Sequence, residues 1–300
     1  MSPARRRQCG TMQLYEELAE TYPSFRDNQA RIHDFTVRSI ETGEAQKAAR
    51  RLITIPVVVH VVYKREVENI SNAQIRSQID RLSRDYRATN TDRGQAPAVW
   101  KGLVGDAKIE FALARRNPRG KPTDGITRTK TSRASFPAAG DPVKRKSEGG
   151  APAWPSGRYL NLWVCNLESY LGYAQFPGGP ARTDGVVVLY TAFGTRGTVK
   201  APFHKGRTAT HEVGHWLNLR HIWADTLGCG GSDFVADTPN AAGPNYGKPT
   251  FPHISCNNGP NGDMFMNYMD YVDDPAMFMF TQGQITRMNA ALAGARKSFA

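Results

Sequence analysis

Apolar positions along the 300-residue chain recur with periods of about two and about 3.6, and their order predicts a mixed sheet with helices against it. The longest apolar run, Ile55 to Tyr63, is interrupted by Pro56 and His60 and reads as a buried strand. Ser71 followed by Gln74 predicts a capping box, opening a helix on which Ile75, Ile79, Leu82 and Tyr86 share a face. AKIEFALARR (107–116) predicts a second strand, and RYLNLWVCNL (158–167) and GVVVLYTAF (185–193) two more. Between these last two, LGYAQFPGG (171–179) predicts a short edge strand, because Pro177 cannot donate to a neighbour. Helical spacing returns around His211 and over TQGQITRMNAALAG (281–294), where Thr281 and Gln284 predict a second capping box.

Three stretches lack these periods. Residues 11–50 are polar and weakly helical, with Leu14, Leu18 and Tyr22 four apart, and read as an accessory segment ending at Arg50 and Arg51. Residues 116–157, rich in Pro, Gly and basic side chains, predict a long loop. After His221 regular structure almost vanishes until the last helix, and so long a stretch in a compact domain needs pins such as metals or a disulfide. The expected class is α+β, a mixed sheet with an antiparallel edge strand, helices packed on it, and an irregular C-terminal part closed by a helix.

Composition narrows the partners. With 40% hydrophobic and 22% charged positions the chain is folded rather than disordered. No apolar run approaches the roughly 18 to 20 residues of a membrane helix, so no membrane partner is expected. The start, MSPARRRQCGTM, shows no signal-peptide core. The formal net charge of +12 by itself suggests a polyanion. Yet the charge is unevenly placed. Ten basic residues and two acids lie between Arg115 and Lys146, without the interleaved aromatics of a base-stacking surface, so nucleic acid is not the expected partner. Between Ile222 and Phe280 seven aspartates face only Lys248, which suggests cations or a basic ligand there. Of four cysteines, Cys229 and Cys256 lie in Gly/Asn-rich sequence and are the expected disulfide, while Cys165 is expected as a buried thiol.

The chemistry concentrates in HEVGHWLNLRH (211–221). On a helix His211 and His215 project from one face, so both imidazoles can bind one zinc ion while Glu212 reaches a water beside it. A continuous helix would carry His221 about 15 Å along the axis and about 80° off that face. His221 joins only if the chain turns back, and Asn218, tolerant of left-handed backbone, is placed to do this. Three neutral imidazoles would leave a fourth position open, as in catalytic rather than structural zinc sites. A core helix with incidental histidines is the plain alternative, and the joint spacing disfavours it. His33, His60, His204 and His253 lack that spacing and read as packed or surface histidines.

HEVGHWLNLRH resembles the extended zinc signature of the metzincin metallopeptidases, and MNYMDY (266–271) resembles their Met-turn. RQCGTM, GYAQFPGG, SDFVADTP and NYMDYVDD, in order and spacing, further resemble the pappalysin family and its cytophagalysin or ulilysin-like branch. The resemblance implies a prosegment over 1–50 and a metzincin-like catalytic domain over 51–300, its upper subdomain about 51–218 and its lower about 219–300. It implies that His211, His215 and His221 bind catalytic Zn2+, that Glu212 is general base and acid, that Met269 lies beneath the metal, and that Tyr271 donates a hydrogen bond to the oxyanion. Asp274, beside Asp273, matches the acid that selects Arg or Lys, and Ala174, Gln175 and Phe176 match the edge strand that pairs with substrate. Asp233, Asp237 and Thr238 are implied ligands of structural Ca2+. Cys9 resembles a latency cysteine occupying the open metal position. There are two departures. Asn218 replaces the usual glycine, and Lys248 and Ala276 stand where relatives commonly carry a second disulfide.

These readings predict a secreted zinc-dependent endopeptidase made as a zymogen and cutting on the N-terminal side of Arg or Lys. Its partners are peptide and protein substrates and its own prosegment as inhibitor, with Arg50 and Arg51 as the processing site. The competing readings are a catalytically inactive metal-stabilised binding protein and a polyanion binder acting through the basic 115–146 loop.

Overall fold

The computed structural model describes residues 6–48 and 51–300; Arg50, half of the expected processing site, lies outside them. In chain order the elements are α1 (Thr11–Thr21), α2 (Pro23–Glu41), α3 (Glu44–Ala48), β1 (Ile53–Tyr63), α4 (Asn72–Tyr86), α5 (Ala98–Lys101), β2 (Ile109–Leu113), β3 (Ile126–Lys130), β4 (Leu160–Cys165), β5 (Gly172–Ala174), β6 (Val186–Leu189), α6 (Arg207–Trp216) and α7 (Gln282–Ala293).

β1 is central because it is apolar on both faces, with Val57, Val58, Val59 and Val61 fully buried, and because both its edges are paired. β4 runs parallel along one edge, Val57 opposite Leu160. The other edge is divided between β2 and β3. β3 corrects the sequence reading, which made all of 116–157 a loop. In ITRTK only Ile126 is apolar, so alternation carried mostly by threonine and cations gave no core signal. β6 pairs β4 in parallel, and β5 closes the sheet as an antiparallel edge, giving the order β2-β1-β4-β6-β5. That edge strand ends at Ala174, short of the expected Phe176.

Ser71 caps α4, whose Ile75, Ile79, Leu82 and Tyr86 are buried. Only half of the expected capping box forms. The Gln74 amide N–H reaches the Ser71 hydroxyl, but its side chain donates instead to the carbonyls of Tyr190 and Phe193 and holds the loop after β6. The Tyr86 hydroxyl donates to the Thr210 carbonyl and ties α4 to α6. The N-terminal segment is more ordered than its weak period suggests: α1 packs on β5 and α2 and α3 on α7, burying Leu14, Leu18, Phe25 and Ala45. Among the described residues no helix is long and apolar enough to cross a membrane.

Between α6 and α7 the sole regular element is a helical turn at Asp274–Ala276. Cys229 and Cys256 are joined there, as expected. The other pin was not foreseen. Asp263 accepts from the Ser255 hydroxyl and the Asn258 amide, both at 2.7 Å, and Asp270 accepts from the Asn245 and Tyr271 backbone N–H groups at 2.9 and 2.7 Å. Buried carboxylates surrounded by donors hold a loop much as a ligated cation would.

Candidate active site

α6 ends at Trp216, and Asn218 adopts φ +72°, so the chain reverses where the sequence placed the turn. The reversal brings His221 beside His211 and His215, all three at most 1% exposed. Their Nε2 atoms lie 3.1, 3.2 and 3.1 Å apart. Each Nδ1 faces an oxygen: His211 the Tyr268 carbonyl at 2.7 Å, His215 the Leu219 carbonyl at 2.8 Å, and His221 the Asp225 carboxylate at 2.5 Å. Those acceptors fix the proton on Nδ1 in every ring. The Nε2 lone pairs then converge on one point, an arrangement that suits a metal ion. Tetrahedral ligands at the roughly 2.0–2.1 Å of zinc–nitrogen bonds would stand about 3.3–3.4 Å apart, close to what is found. Burial and mutual repulsion hold His211 well below the usual histidine range and His215 down to about 3, so both are neutral and free to ligate.

Sequence reasoning missed Asp225. Its cue was the spacing of four from His221, but the backbone there leaves the helix, with Ala224 and Asp225 at φ +58° and +57°. Trp223 stacks on His221 with ring centres 4.3 Å apart, fixing the ring plane. Met269 is fully buried beneath α6, and a Cβ on Gly214 would lie 2.5 Å from its Sδ; the glycine in HEVGH is what lets the two approach.

Glu212 sits beside the focus. Burial pushes its carboxyl up to about 8, against hydrogen bonds from the Cys9 thiol at 3.2 Å and the Thr11 hydroxyl at 3.1 Å. Gly172 of β5 is needed there as well, since a Cβ would come within 2.9 Å of Glu212 Oε1. The Cys9 sulfur and the three imidazoles have ligand atoms all within 4.8 Å of one another, and together could hold one metal ion. The Tyr271 hydroxyl accepts from the Cys9 backbone N–H at 3.1 Å.

The N-terminal segment holds itself in the cleft by its main chain. Residue 9 forms a parallel bridge with Gly172, Gly10 N–H donates to the Gly172 carbonyl at 2.9 Å, and Leu171 N–H donates to the Gln8 carbonyl at 3.0 Å. Two residues before Cys9, Arg7 is 2% exposed and inserts beside Phe203. Its Nη2 donates to Asp274 Oδ1 at 2.6 Å and its Nε to the Val272 carbonyl at 3.1 Å. The second Asp274 oxygen accepts the Lys205 and Arg207 backbone N–H groups at the start of α6. Arg7 has no distinguishing signal in MSPARRRQCGTM; only the folded position of Asp274 sets it apart.

The remaining expected residues divide. Ala174 and Phe176 face the N-terminal segment, Ala174 N–H donating to the Thr11 hydroxyl and Phe176 meeting Tyr15 edge-on. Gln175 does not: its side chain is 1% exposed and bonds Thr183 and the Pro180 carbonyl, because successive residues of an extended chain face opposite ways. Asp273 feels the charge of Arg7 and Asp274, but its side chain makes no hydrogen bond or ion pair among the described residues. Asp233, the Val235 carbonyl and Thr238 cluster, the Thr238 hydroxyl lying 2.7 Å from Asp233 Oδ2 and 2.9 Å from the carbonyl, and could hold a hard cation. Asp237 does not join them. Both its oxygens cap α7, accepting from the Thr281 hydroxyl and the Gly283 N–H. Nor is the basic segment an open cationic surface throughout: Lys144 is buried on Asp141, Arg133 pairs Glu148, and Arg128 bonds Asn72 and the Ile70 carbonyl.

Comparison with known proteins gives a consistent picture. The peptidase M43 model, described as pregnancy-associated plasma protein-A, matches residues 145–293. An extracellular metalloprotease of Colletotrichum graminicola is 30% identical over 307 residues, 98% of this chain and 92% of its own. Mature mirolysin of Tannerella forsythia, solved with a cleaved peptide, is 52% identical over 82% of this chain and 95% of its own, with a TM-score of 0.81. A promirolysin mutant of the same organism is 45% identical over 98% and 97%, with a TM-score of 0.88.

Proposed function

Because this chain belongs to the peptidase M43 family and is a metalloendopeptidase, we propose that it is a secreted zinc enzyme cutting before Arg or Lys and kept latent by residues 1–50. The observation that carries the specificity is the buried Arg7–Asp274 pair beside the histidine focus. A fully buried aspartate with no other side-chain cation at hydrogen-bond distance among the described residues binds a guanidinium strongly and penalises an apolar side chain. The similarity to extracellular metalloproteases and the Cys229–Cys256 bond support secretion.

His211, His215 and His221 would hold the zinc, which when bound polarises the scissile carbonyl and acidifies water. Glu212 takes a proton from the attacking water and returns it to the leaving amine, its raised affinity for protons suiting it to both transfers. Tyr271, whose hydroxyl now bonds the main chain at Cys9, is placed to donate to the oxyanion of a bound peptide. The Ala174 N–H, now bonded to Thr11, is free for substrate main chain once the segment leaves. A substrate with its downstream Arg on Asp274 runs opposite to residues 7–11, so the segment fills the cleft without offering a bond in the productive direction.

Glu212→Ala should lower peptide cleavage by about 10²–10⁴-fold while zinc content, read by elemental analysis, stays at one per chain; loss of the metal would make Glu212 structural instead. The proposed Ca2+ would be held by Asp233, Thr238 and the Val235 carbonyl, oxygens that cluster where Asp233 is buried. Added Ca2+ should raise the Tm of the wild type and not of Asp233→Asn; equal shifts would place the cation elsewhere.

A further inference from the structure

Across the histidine focus from Asp274 lie two arginines that the reaction above does not use. Arg220 precedes His221 and makes no hydrogen bond or ion pair among the described residues; its guanidinium lies 5.4 Å from the ring centre of Phe234 and 6.0 Å from that of Tyr15. Arg287 on α7 is 3% exposed, its guanidinium 5.5 Å from the same Phe234 ring. Its Nε donates to the Asn218 carbonyl at 2.8 Å, and its terminal nitrogens have no acceptor among the described residues. Both line one cavity of about 420 Å³. The acid whose charge acts on Arg287 is Asp233, whose oxygens are taken by the Thr238 hydroxyl and the Val235 N–H. Burial and Arg220 draw Arg287 down to about 10, so it stays charged at neutral pH. Besides Arg26 of the N-terminal segment, two cations outside that segment face this cavity, and with one of them buried with donors to spare they form a receptor for an anion.

The chain path gives the cavity its place in the cleft. Arg7 is on Asp274, Cys9 at the histidines, and Tyr15 on Phe176, which meets His215 edge-on at 5.4 Å. The cavity therefore adjoins the focus on the side away from Asp274. A peptide with its downstream Arg on Asp274 must run its upstream residues this way. In the latent chain Tyr15, His33 and Asp34 form part of the wall, and Asp34 makes no ion pair there; departure of α1 and α2 leaves Arg220 open to the cleft.

We propose that Arg220, backed by Arg287, selects a Glu or Asp side chain roughly two to four residues upstream of the cut bond, the span of about 3.3 Å per residue of extended chain. The enzyme then reads opposite charges on the two sides of the scissile bond. This rests on the reading that Asp274 takes the downstream basic residue.

The test uses the activated, zinc-loaded enzyme and quenched fluorogenic peptides with Arg after the cut and Glu, Gln or Lys scanned over the second to fourth upstream positions. At one of these positions kcat/KM should favour Glu over Gln about tenfold, the scale of one charge-assisted hydrogen bond. The ratio should fall to within about twofold in Arg220→Gln, survive in part in Arg220→Lys, and turn toward Lys in Arg220→Glu. Because the ratio is read within one preparation, loss of folded enzyme cancels. No Glu preference in the wild type, or the same preference in Arg220→Gln, overturns the inference while cleavage before Arg leaves the Asp274 reading standing. Product masses showing cleavage elsewhere would sink the Asp274 reading and the upstream register with it.

Discussion

At the scale of the residue, each functional side chain is held by something other than the group it serves. The Nδ1 acceptors Tyr268, Leu219 and Asp225 aim three lone pairs at one point, and two backbone N–H groups at the start of α6 fix the orientation of the Asp274 side chain. Arg7 and Cys9 then reach the Asp274 carboxylate and the three imidazoles from one strand of chain. The double variant Arg7→Ala, Cys9→Ala should therefore show peptidase activity as an uncut chain, at least about tenfold above intact wild type by the loss of a buried ion pair; intact mass checks that it is uncut, and an equally silent chain would place latency elsewhere. His211, Glu212 and His215 were legible because helical spacing alone puts them together, and His221 because Asn218 marked the turn. Arg7 was not, since its partner Asp274 is brought near only by folding, and Asp225 was not, since its spacing of four from His221 falls where the backbone has left the helix. Asp237 was misread for the converse reason: an acid in an acid-rich loop can as well cap a helix 44 residues away.

At the scale of the element, β1 shows what the apolar pattern conveys and what it hides. Its buried valines predicted a strand, but His60 within it read as a generic packed histidine. The ring lies on Trp163, donates to Asn161 Oδ1 at 3.0 Å and accepts from the Thr127 hydroxyl at 2.8 Å, so it is built to be neutral. Burial lowers it from 6.5 to about 4. The folded state thus refuses a proton that the unfolded chain accepts below about 6.5; stability from this group is complete above that value and lost as pH falls toward 4. Between pH 7 and 5 the loss is about 2 kcal/mol. Urea unfolding of wild type and His60→Gln should show a difference in stability that narrows by that amount over this range, and a constant difference would contradict it. The same polar partners explain why β3 escaped notice: its Thr127 serves His60 rather than an apolar core.

At the scale of the whole molecule, the opening charge imbalance acquires a direction. The +12 is an average over basic residues that partly brace the loop after β2 and an acidic C-terminal third that contributes Asp274, Asp225 and Asp233. The N-terminal segment places an arginine on the acidic side of the cleft, and the cleft offers arginines of its own on the far side. The sheet, the zinc-type helix and the final helix follow from local period and caps. The fit of residues 6–48 across the cleft does not, because it depends on contacts between segments some 200 or more residues apart. The proposed activity is metal-dependent cleavage before Arg or Lys, set by Asp274. It is tested by digesting a proteome-derived peptide library with the activated enzyme and reading the new N-termini by mass spectrometry, with and without chelator and alongside Asp274→Asn. Arg or Lys is expected at the new N-termini, with none of these cuts under chelator and loss of the basic preference in Asp274→Asn; chelator-insensitive cleavage, or an unchanged preference in the variant, would contradict this activity and its dependence on Asp274.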